Sequence, residues 1–110
     1  MTLTTSSMTC SRNDVVLLPI PFTDLTSRKV RPAIVVGRKG TDLFLVPVSS
    51  VLSNTDFLLQ EWQGAGLNVP SGVKAQLATI EERLVVKIIG TVTAVDRQSL
   101  DERLHTWLQL

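Results

Sequence analysis

A pair of short apolar runs punctuated by proline constrains the fold of this chain more than any other feature. In the segment DVVLLPIPFTDLTSRKVRPAIVV, apolar runs at 15–20 and 33–36 flank a polar connector. Proline lacks an N–H and biases the residue before it toward extended geometry, so the second strand is predicted to begin at or just after Arg31. Arg31 then lies at the base of a loop beside Arg28 and Lys29, where a guanidinium held by a strand can bind an anion.

Further short strands are predicted wherever apolar and β-branched segments are bounded by turn residues. These segments lie at 43–48, 56–59, 73–77 and 84–89. One helical turn is predicted at 60–65, ahead of a glycine, and a tight or 3₁₀ turn at 79–83. The chain is therefore expected to form many short strands separated by frequent turns.

A single longer helix is predicted within residues 91–110. Thr93 is the candidate N-cap, and Asp96 three residues later resembles the partner in a capping box. Apolar side chains recur with helical spacing and form one stripe, which consists of Leu100, Leu104, Trp107 and Leu108. We expect this stripe to pack on the sheet.

The predicted fold class is a β-rich α+β domain, a small and strongly curved β-barrel with a C-terminal α-helix. Closure or near-closure is expected because it removes exposed strand edges. Residues 1–12 are rich in Thr and Ser without periodicity, so they are expected to form a flexible N-terminal tail. Residues 13–110 contain no linker and no repeat, and they are expected to form one domain.

Composition excludes several classes of site. Charge is nearly balanced, with 11 Lys and Arg against 10 Asp and Glu, so nucleic-acid binding requires a local basic patch. The single cysteine, Cys10, excludes an internal disulfide, and no carboxylate or histidine pair has metal-ligand spacing. No metal or other cofactor is expected. No apolar run approaches the ~20 residues that span a bilayer, and the polar N-terminus is unlike a signal peptide, so we expect a cytoplasmic protein without membrane contact.

The proline-punctuated opening resembles that of the MazF/PemK family of toxin endoribonucleases. The similarity continues through LFLVPVSS, AQLATIE and KIIG to the last helix, and it spans roughly residues 13 to 108. The resemblance implies an SH3-like barrel with a C-terminal helix, a fold that this family shares with the CcdB gyrase poisons.

The resemblance also implies roles for three residues. In the family, the arginine of the Arg-Pro strand contacts the scissile phosphate, and Arg31 matches it. Such an arginine stabilises transition-state charge and is a poor proton acceptor, because its pKa exceeds 12. Ser49 stands where the family has a phosphate-holding threonine and keeps the hydroxyl, and Ser50 is the weaker substitute.

The first loop and the AQLATIE segment supply the remaining candidates. By the resemblance, Thr23 and Asp24 belong to a loop that covers the site, whereas Arg28 and Lys29 would contact backbone phosphates.

Gln76 and Thr79 are further candidate RNA contacts, and Gln76 could read a base edge. The proton acceptor stays open between Asp24 and Glu81. Ala75 and Ala78 depart from the family, which commonly has an acidic residue at the first of these positions and a basic residue at the second.

The leading hypothesis is thus a toxin of a type II toxin-antitoxin system. It is a sequence-selective, metal-independent endoribonuclease that cuts single-stranded RNA, mainly mRNA, through 2′-OH attack. The products carry 2′,3′-cyclic phosphate and 5′-OH ends. The expected partners are RNA, a cognate antitoxin and a second copy in a homodimer. The alternatives are a weakly active or inactive module that binds RNA or antitoxin, which Ala75 and Ala78 favour, and a gyrase-directed toxin of the CcdB kind.

Overall fold

The computed structural model describes residues 9–19 and 29–110. In this part of the chain seven β-strands precede one α-helix. They are β1 (Asp14–Pro19), β2 (Val30–Lys39), β3 (Asp42–Ser49), β4 (Phe57–Leu58), β5 (Gly72–Val73), β6 (Ala78–Glu81), β7 (Lys87–Thr91) and α1 (Ala94–Leu108). Two 3₁₀ helices, Leu52–Asn54 and Glu82–Leu84, follow β3 and β6. None of the helices within the described ranges combines the length and the apolar character that spanning a bilayer requires.

The strands form one antiparallel sheet in the order β4-β5-β3-β2-β1-β7, and β6 pairs with β3. The central strand β3 pairs with β2 along one side, while β6 and β5 share its other side in succession. Among the described residues β4 and β7 form the two ends of this sheet and do not pair with each other. The predicted β-rich class with a C-terminal helix is therefore confirmed, but the sheet is not closed into a barrel.

The hairpin-like opening of the sheet follows the proline pattern. β1 ends at Pro19, and β2 begins at Val30, one residue before Arg31. In the register of these strands Leu18 lies opposite Arg31 and Val15 lies opposite Ile34. The start predicted at or just after Arg31 is therefore one residue late, and Arg31 is the second residue of β2.

Each face of the sheet carries an apolar core, because successive side chains of a strand point to opposite faces. Along β2, Ile34 joins one cluster, whereas Ala33 and Val35 join the other. The helix covers the first cluster through Leu100 and Leu104, which are buried.

The predicted helical stripe is only partly buried. Trp107 is half-buried and packs on the core, whereas Leu108 is exposed at the helix end. The helix stops there because Gln109 adopts a left-handed backbone conformation, which closes its C-terminus.

No side-chain capping bond forms at Thr93, so the predicted capping box is wrong. The Thr93 hydroxyl instead donates to the Glu61 carboxylate. Asp96, which is buried, accepts hydrogen bonds from the backbone N–H groups of Gln60 and Glu61, at 2.9 and 2.8 Å. Both helix-start side chains therefore attach the 60–65 turn to the helix. That turn holds one helical hydrogen bond, from the N–H of Ala65 to the carbonyl of Glu61.

Two strand boundaries also differ from the prediction. Of the strand expected at 73–77, only Val73 is in a strand, since β5 ends there and the Ala75 N–H bonds to the Asp56 carboxylate, at 2.6 Å. A separate strand, β6, occupies most of the segment where a turn had been predicted, and the 3₁₀ turn Glu82–Leu84 follows it. The strand expected at 84–89 begins only at Lys87, because a 3₁₀ turn precedes it.

The packed chain begins before residue 13. Cys10 is 1% exposed and joins the second apolar cluster. Its N–H donates to Glu82, at 2.7 Å, and its carbonyl accepts from Arg38, at 2.7 Å. Burial raises the pKa of the Cys10 thiol, with the charge of Glu82 adding to the effect. Residues from Cys10 onward are thus anchored to the sheet rather than forming part of a tail.

Candidate functional site

An open groove of about 730 Å³ lies where the ends of the central strands meet the segments around β5 and β7. Its lining includes consecutive residues of β3, among them Pro47, Val48 and Ser49. Because consecutive residues point to opposite faces of a sheet, the groove passes round the end of the sheet rather than along one face.

Arg31 and Ser49 both line this groove. Their strands are adjacent and antiparallel, and Ala33 lies opposite Pro47. Continuing this register by two residues brings Arg31 opposite Ser49 on the same face of the sheet. The two residues predicted to carry the chemistry are therefore brought together, although they are far apart in the sequence.

The Ser49 hydroxyl is oriented by its own backbone. Its oxygen accepts a hydrogen bond from the Val51 N–H, at 3.0 Å. A serine hydroxyl has one donor and two acceptor positions, so the O–H donor remains available to a bound group. This local bond restricts the side chain in place of the methyl group that a threonine would have.

The groove is strongly cationic. Arg31, Lys74 and Lys87 line it, and the described lining contains no carboxylate. None of these three cations forms an ion pair within the described residues. Three uncompensated cations in one concave surface favour an anionic ligand that carries more than one charge.

Two other predicted residues, Ser50 and Gln76, also line the groove. Lys29 lies just before β2 but is not part of the lining. Thr23, Asp24 and Arg28 lie outside the described residues.

Thr79 and Glu81 are not brought to the groove. Both belong to β6, where Thr79 lies opposite Phe44 and Glu81 lies opposite Asp42. Glu81 pairs with Arg83, with 2.6 Å between Oε2 and Nε, and both side chains are largely exposed. Neither Ala75 nor Ala78 contributes to the lining. Of the candidate residues in the segment AQLATIE, only Gln76 therefore lies at the site.

Sequence reasoning missed Lys74 and Lys87. Lys74 directly follows β5, and Lys87 opens β7, where it lies opposite Leu17. The sequence contains one weak signal, a lysine at the border of an apolar run. Surface strands commonly have such lysines, so the signal alone does not indicate a site.

A close backbone contact between two glycines fixes one wall of the groove. A Cβ on Gly66 would lie 2.1 Å from the Ile89 carbonyl oxygen, and one on Gly90 would lie 2.2 Å from the Ala65 carbonyl oxygen. Gly66 also has a φ of +92°, which side chains disfavour. Both positions therefore require glycine, and the segment that contains Gly66 and Leu67 is pressed against β7.

Within residues 9–19 and 29–110, no group of three or more His, Cys, Asp or Glu side chains is placed to hold a metal ion. The described groove lining also lacks histidine and carboxylate, the usual proton acceptors. What the described part of the site offers is positive charge together with hydroxyl and amide groups.

No family model and no curated protein sequence matches the chain. Solved structures do match it. One is the Mycobacterium tuberculosis toxin MazF-mt6, which is 19% identical, with a TM-score of 0.70 over 88% of this chain and 97% of that one. Another is an endoribonuclease in complex with its cognate antitoxin from Mycobacterial species, which is 17% identical, with a TM-score of 0.66 over 90% of this chain and 92% of that one. These similarities establish that the chain has the fold of the MazF toxins.

Proposed function

We propose that this protein is a toxin of a type II toxin-antitoxin system, and that it acts as a sequence-selective, metal-independent endoribonuclease on single-stranded RNA, chiefly mRNA. The observation that supports this most directly is the meeting of Arg31 and Ser49 in one groove that has uncompensated positive charge. Similarity in fold to an endoribonuclease adds support, although fold alone does not decide function.

In the proposed reaction the ribose 2′-oxygen attacks the adjacent phosphorus. The bond between the 2′-oxygen and phosphorus forms as the bond to the 5′-oxygen breaks, which leaves a 2′,3′-cyclic phosphate. The 2′-OH proton passes to a base, and the departing 5′-oxygen takes up a proton to become a 5′-OH. Negative charge grows on the non-bridging oxygens during this step.

Arg31 and Ser49 act on that growing charge. The Arg31 guanidinium pairs with the non-bridging oxygens in a fixed, forked geometry, and the Ser49 hydroxyl donates a further hydrogen bond. For the proton transfer we keep Asp24 as the candidate, because Glu81 is paired with Arg83 on β6 away from the groove.

We further propose that the protein is a cytoplasmic homodimer with a cognate antitoxin. One solved structure of the same fold is an endoribonuclease in complex with its cognate antitoxin. An acidic antitoxin segment would be attracted to the same cations that we assign to RNA, and it would block cleavage by competition.

Cleavage of a mixed-sequence RNA in the presence of EDTA tests the proposal, with purified wild type, Arg31→Ala and Arg97→Ala compared and product ends mapped. Arg97 is the matched control, since it is an exposed arginine on α1 outside the groove. We expect wild type and Arg97→Ala to cut at a short shared sequence and to leave cyclic phosphate ends. Arg31→Ala should lose at least about 10²–10³-fold in rate.

Other results would contradict the proposal. Cutting that persists in Arg31→Ala would remove Arg31 from the site. A folded wild type that cuts none of a varied set of RNAs, without antitoxin, would exclude the nuclease. Inhibition of gyrase supercoiling by that inactive protein would then favour the CcdB-like alternative, and its absence would favour a binding module.

A further inference from the structure

Lys74 and Lys87 have no role in the reaction described above, yet they line the same groove as Arg31. We propose that they are positioning residues that bind the phosphates on either side of the scissile one. The groove would then hold a stretch of RNA by its backbone. This inference rests on the proposed function and adds to it the contacts that hold the substrate in place.

The sheet register sets the spacing of the first pair. Arg31 lies opposite Leu18, and Lys87 lies opposite Leu17, so the two cations lie on the strands on either side of β1. Leu17 and Leu18 point to opposite faces of the sheet, so Arg31 and Lys87 do as well, and the groove that both line passes round the end of the sheet between them. Adjacent strands are separated by about 4.8 Å, which places the backbones of β2 and β7 about 10 Å apart.

Lys74 lies on the other side of Arg31. It directly follows β5, and its N–H donates to the Pro47 carbonyl of β3, at 3.0 Å. Since β3 lies between β5 and β2, Lys74 is also two strands from Arg31, and it is offset along the strands because it lies beside Pro47 rather than Ser49, so the two backbones are at least about 10 Å apart. Arg31 is thus the middle member of three cations.

This spacing favours a polyanion over a single anion. Three cations on alternate strands cannot all contact one phosphate, so a mononucleotide would leave at least one of them unsatisfied. A nucleic-acid strand has a charge at every nucleotide and can engage all three. Lysine acts here as a flexible point charge, which gives affinity without reading sequence.

The test measures binding rather than cleavage. A single-stranded RNA oligonucleotide with 2′-O-methyl riboses cannot be cut, so its Kd can be measured against salt concentration for wild type, Lys74→Gln, Lys87→Gln and the double variant. Lys39→Gln is the control, because Lys39 is an exposed lysine at the far end of β2, outside the groove.

Each groove lysine removed should lower the slope of log K against log salt by about 0.7, and the double variant should lower it by about 1.4. Lys39→Gln should leave the slope unchanged. With cleavable RNA, KM should rise in the groove variants while kcat stays near that of wild type, and Lys→Arg at either position should restore binding.

Unchanged slopes in both groove variants would overturn the inference, as would a fall in kcat without a rise in KM. A poly-glutamate peptide whose binding depends on both lysines, together with RNA binding that depends on neither, would overturn the assignment to RNA. Failure of the proposed function is distinguishable from these results. A wild type that binds the blocked RNA with lysine-dependent slopes but cuts no RNA keeps this inference and refutes the nuclease. A wild type that cuts RNA while the lysine variants bind normally supports the nuclease and refutes this inference.

Discussion

The two ends of β2 each carry an arginine, and the two arginines have opposite surroundings. Arg38 donates to the Cys10 carbonyl, at 2.7 Å, to both carboxylate oxygens of Glu82, at 2.9 and 3.0 Å, and to the Gly40 carbonyl. Arg31 has no such partner within the described residues and lines an open groove. Both residues are arginines, so what distinguishes them is their hydrogen-bond partners.

The difference separates a structural cation from one that is available to a ligand. Arg38 joins the N-terminal segment to the 3₁₀ turn after β6, since Glu82 also accepts from the Cys10 N–H. The hydrogen bond from Arg38, followed by that from Cys10, lowers the pKa of the Glu82 carboxyl. A guanidinium whose donors are already used has little left for a phosphate, whereas the donors of Arg31 remain available.

Replacing each arginine in turn with alanine tests most directly whether one is structural and the other is available to a ligand. Arg31→Ala should reduce cleavage by about 10²–10³-fold or more while the melting midpoint stays near that of wild type. Arg38→Ala should do the opposite, with a lower midpoint and normal activity per folded molecule, because it releases Glu82 and the Cys10 carbonyl. Thermal melts and cleavage rates on the same preparations measure both effects. A large loss of activity in folded Arg38→Ala would show that the two ends of β2 are not independent.

A second experiment asks how far the groove depends on backbone packing. Gly90→Ala forces a Cβ toward the Ala65 carbonyl oxygen, so we expect a loss of about 1–3 kcal/mol in unfolding free energy and weaker RNA binding. Gly40→Asn is the control, because Gly40 has open space around it and asparagine tolerates its positive φ. Denaturant unfolding gives the free energies. Equal unfolding free energies of the two variants would mean that the backbones at Gly66 and Gly90 can move apart at little cost.

The anchor formed by Arg38, Glu82 and Cys10 should also respond to acid. The pKa of Glu82 is lowered from its ordinary value of 4.5, so its ionised form stabilises the folded state above that pH. This stability is lost as the pH falls below about 4.5 and through the lower folded-state pKa. Melting midpoints from neutral to acid pH should therefore fall less steeply for Glu82→Gln, which starts from a lower midpoint, than for wild type. Parallel curves for the two proteins would refute this account of the anchor.

The smallest effect is expected at Glu81, one of the two carboxylates that the sequence offered as a proton acceptor. Its pair with Arg83 is exposed, so Glu81→Gln should change the unfolding free energy by less than about 1 kcal/mol. Because Glu81 lies outside the groove, cleavage and its pH profile should match those of wild type. A marked loss of activity, or a shifted pH profile, would require β6 to reach the substrate in the active assembly.

Much of the fold could be predicted because its signals are local. Pro19 is the last residue of β1, Pro32 lies near the start of β2, and β-branched runs mark the strands between turns. The predictions failed where distant side chains replaced local ones. The strand predicted at 73–77 stops at Val73, and the N–H of Ala75 bonds to the Asp56 carboxylate. The expected capping box is absent because Asp96 bonds instead to the 60–65 turn.

The candidate site shows the same division. Arg31 and Ser49 could be proposed from the sequence because each lies at a recognisable strand end. Lys74 and Lys87 could not, since their meeting with Arg31 depends on which strands are neighbours and in what register. For the same reason Thr79 and Glu81, which follow Gln76 closely in the sequence, were grouped with it although β6 directs them elsewhere.

The sequence by itself determined that the chain forms many short strands and one C-terminal helix, and that an arginine lies near the start of β2. These are properties of short segments, and backbone preference and side-chain periodicity decide them. Only the tertiary structure decided that Arg38 is paired, that Arg31 has no partner among the described residues, and that two lysines join it in one groove. Such contacts bring together residues far apart in the chain, and the packing of the whole sheet sets them because no short segment encodes its own neighbours.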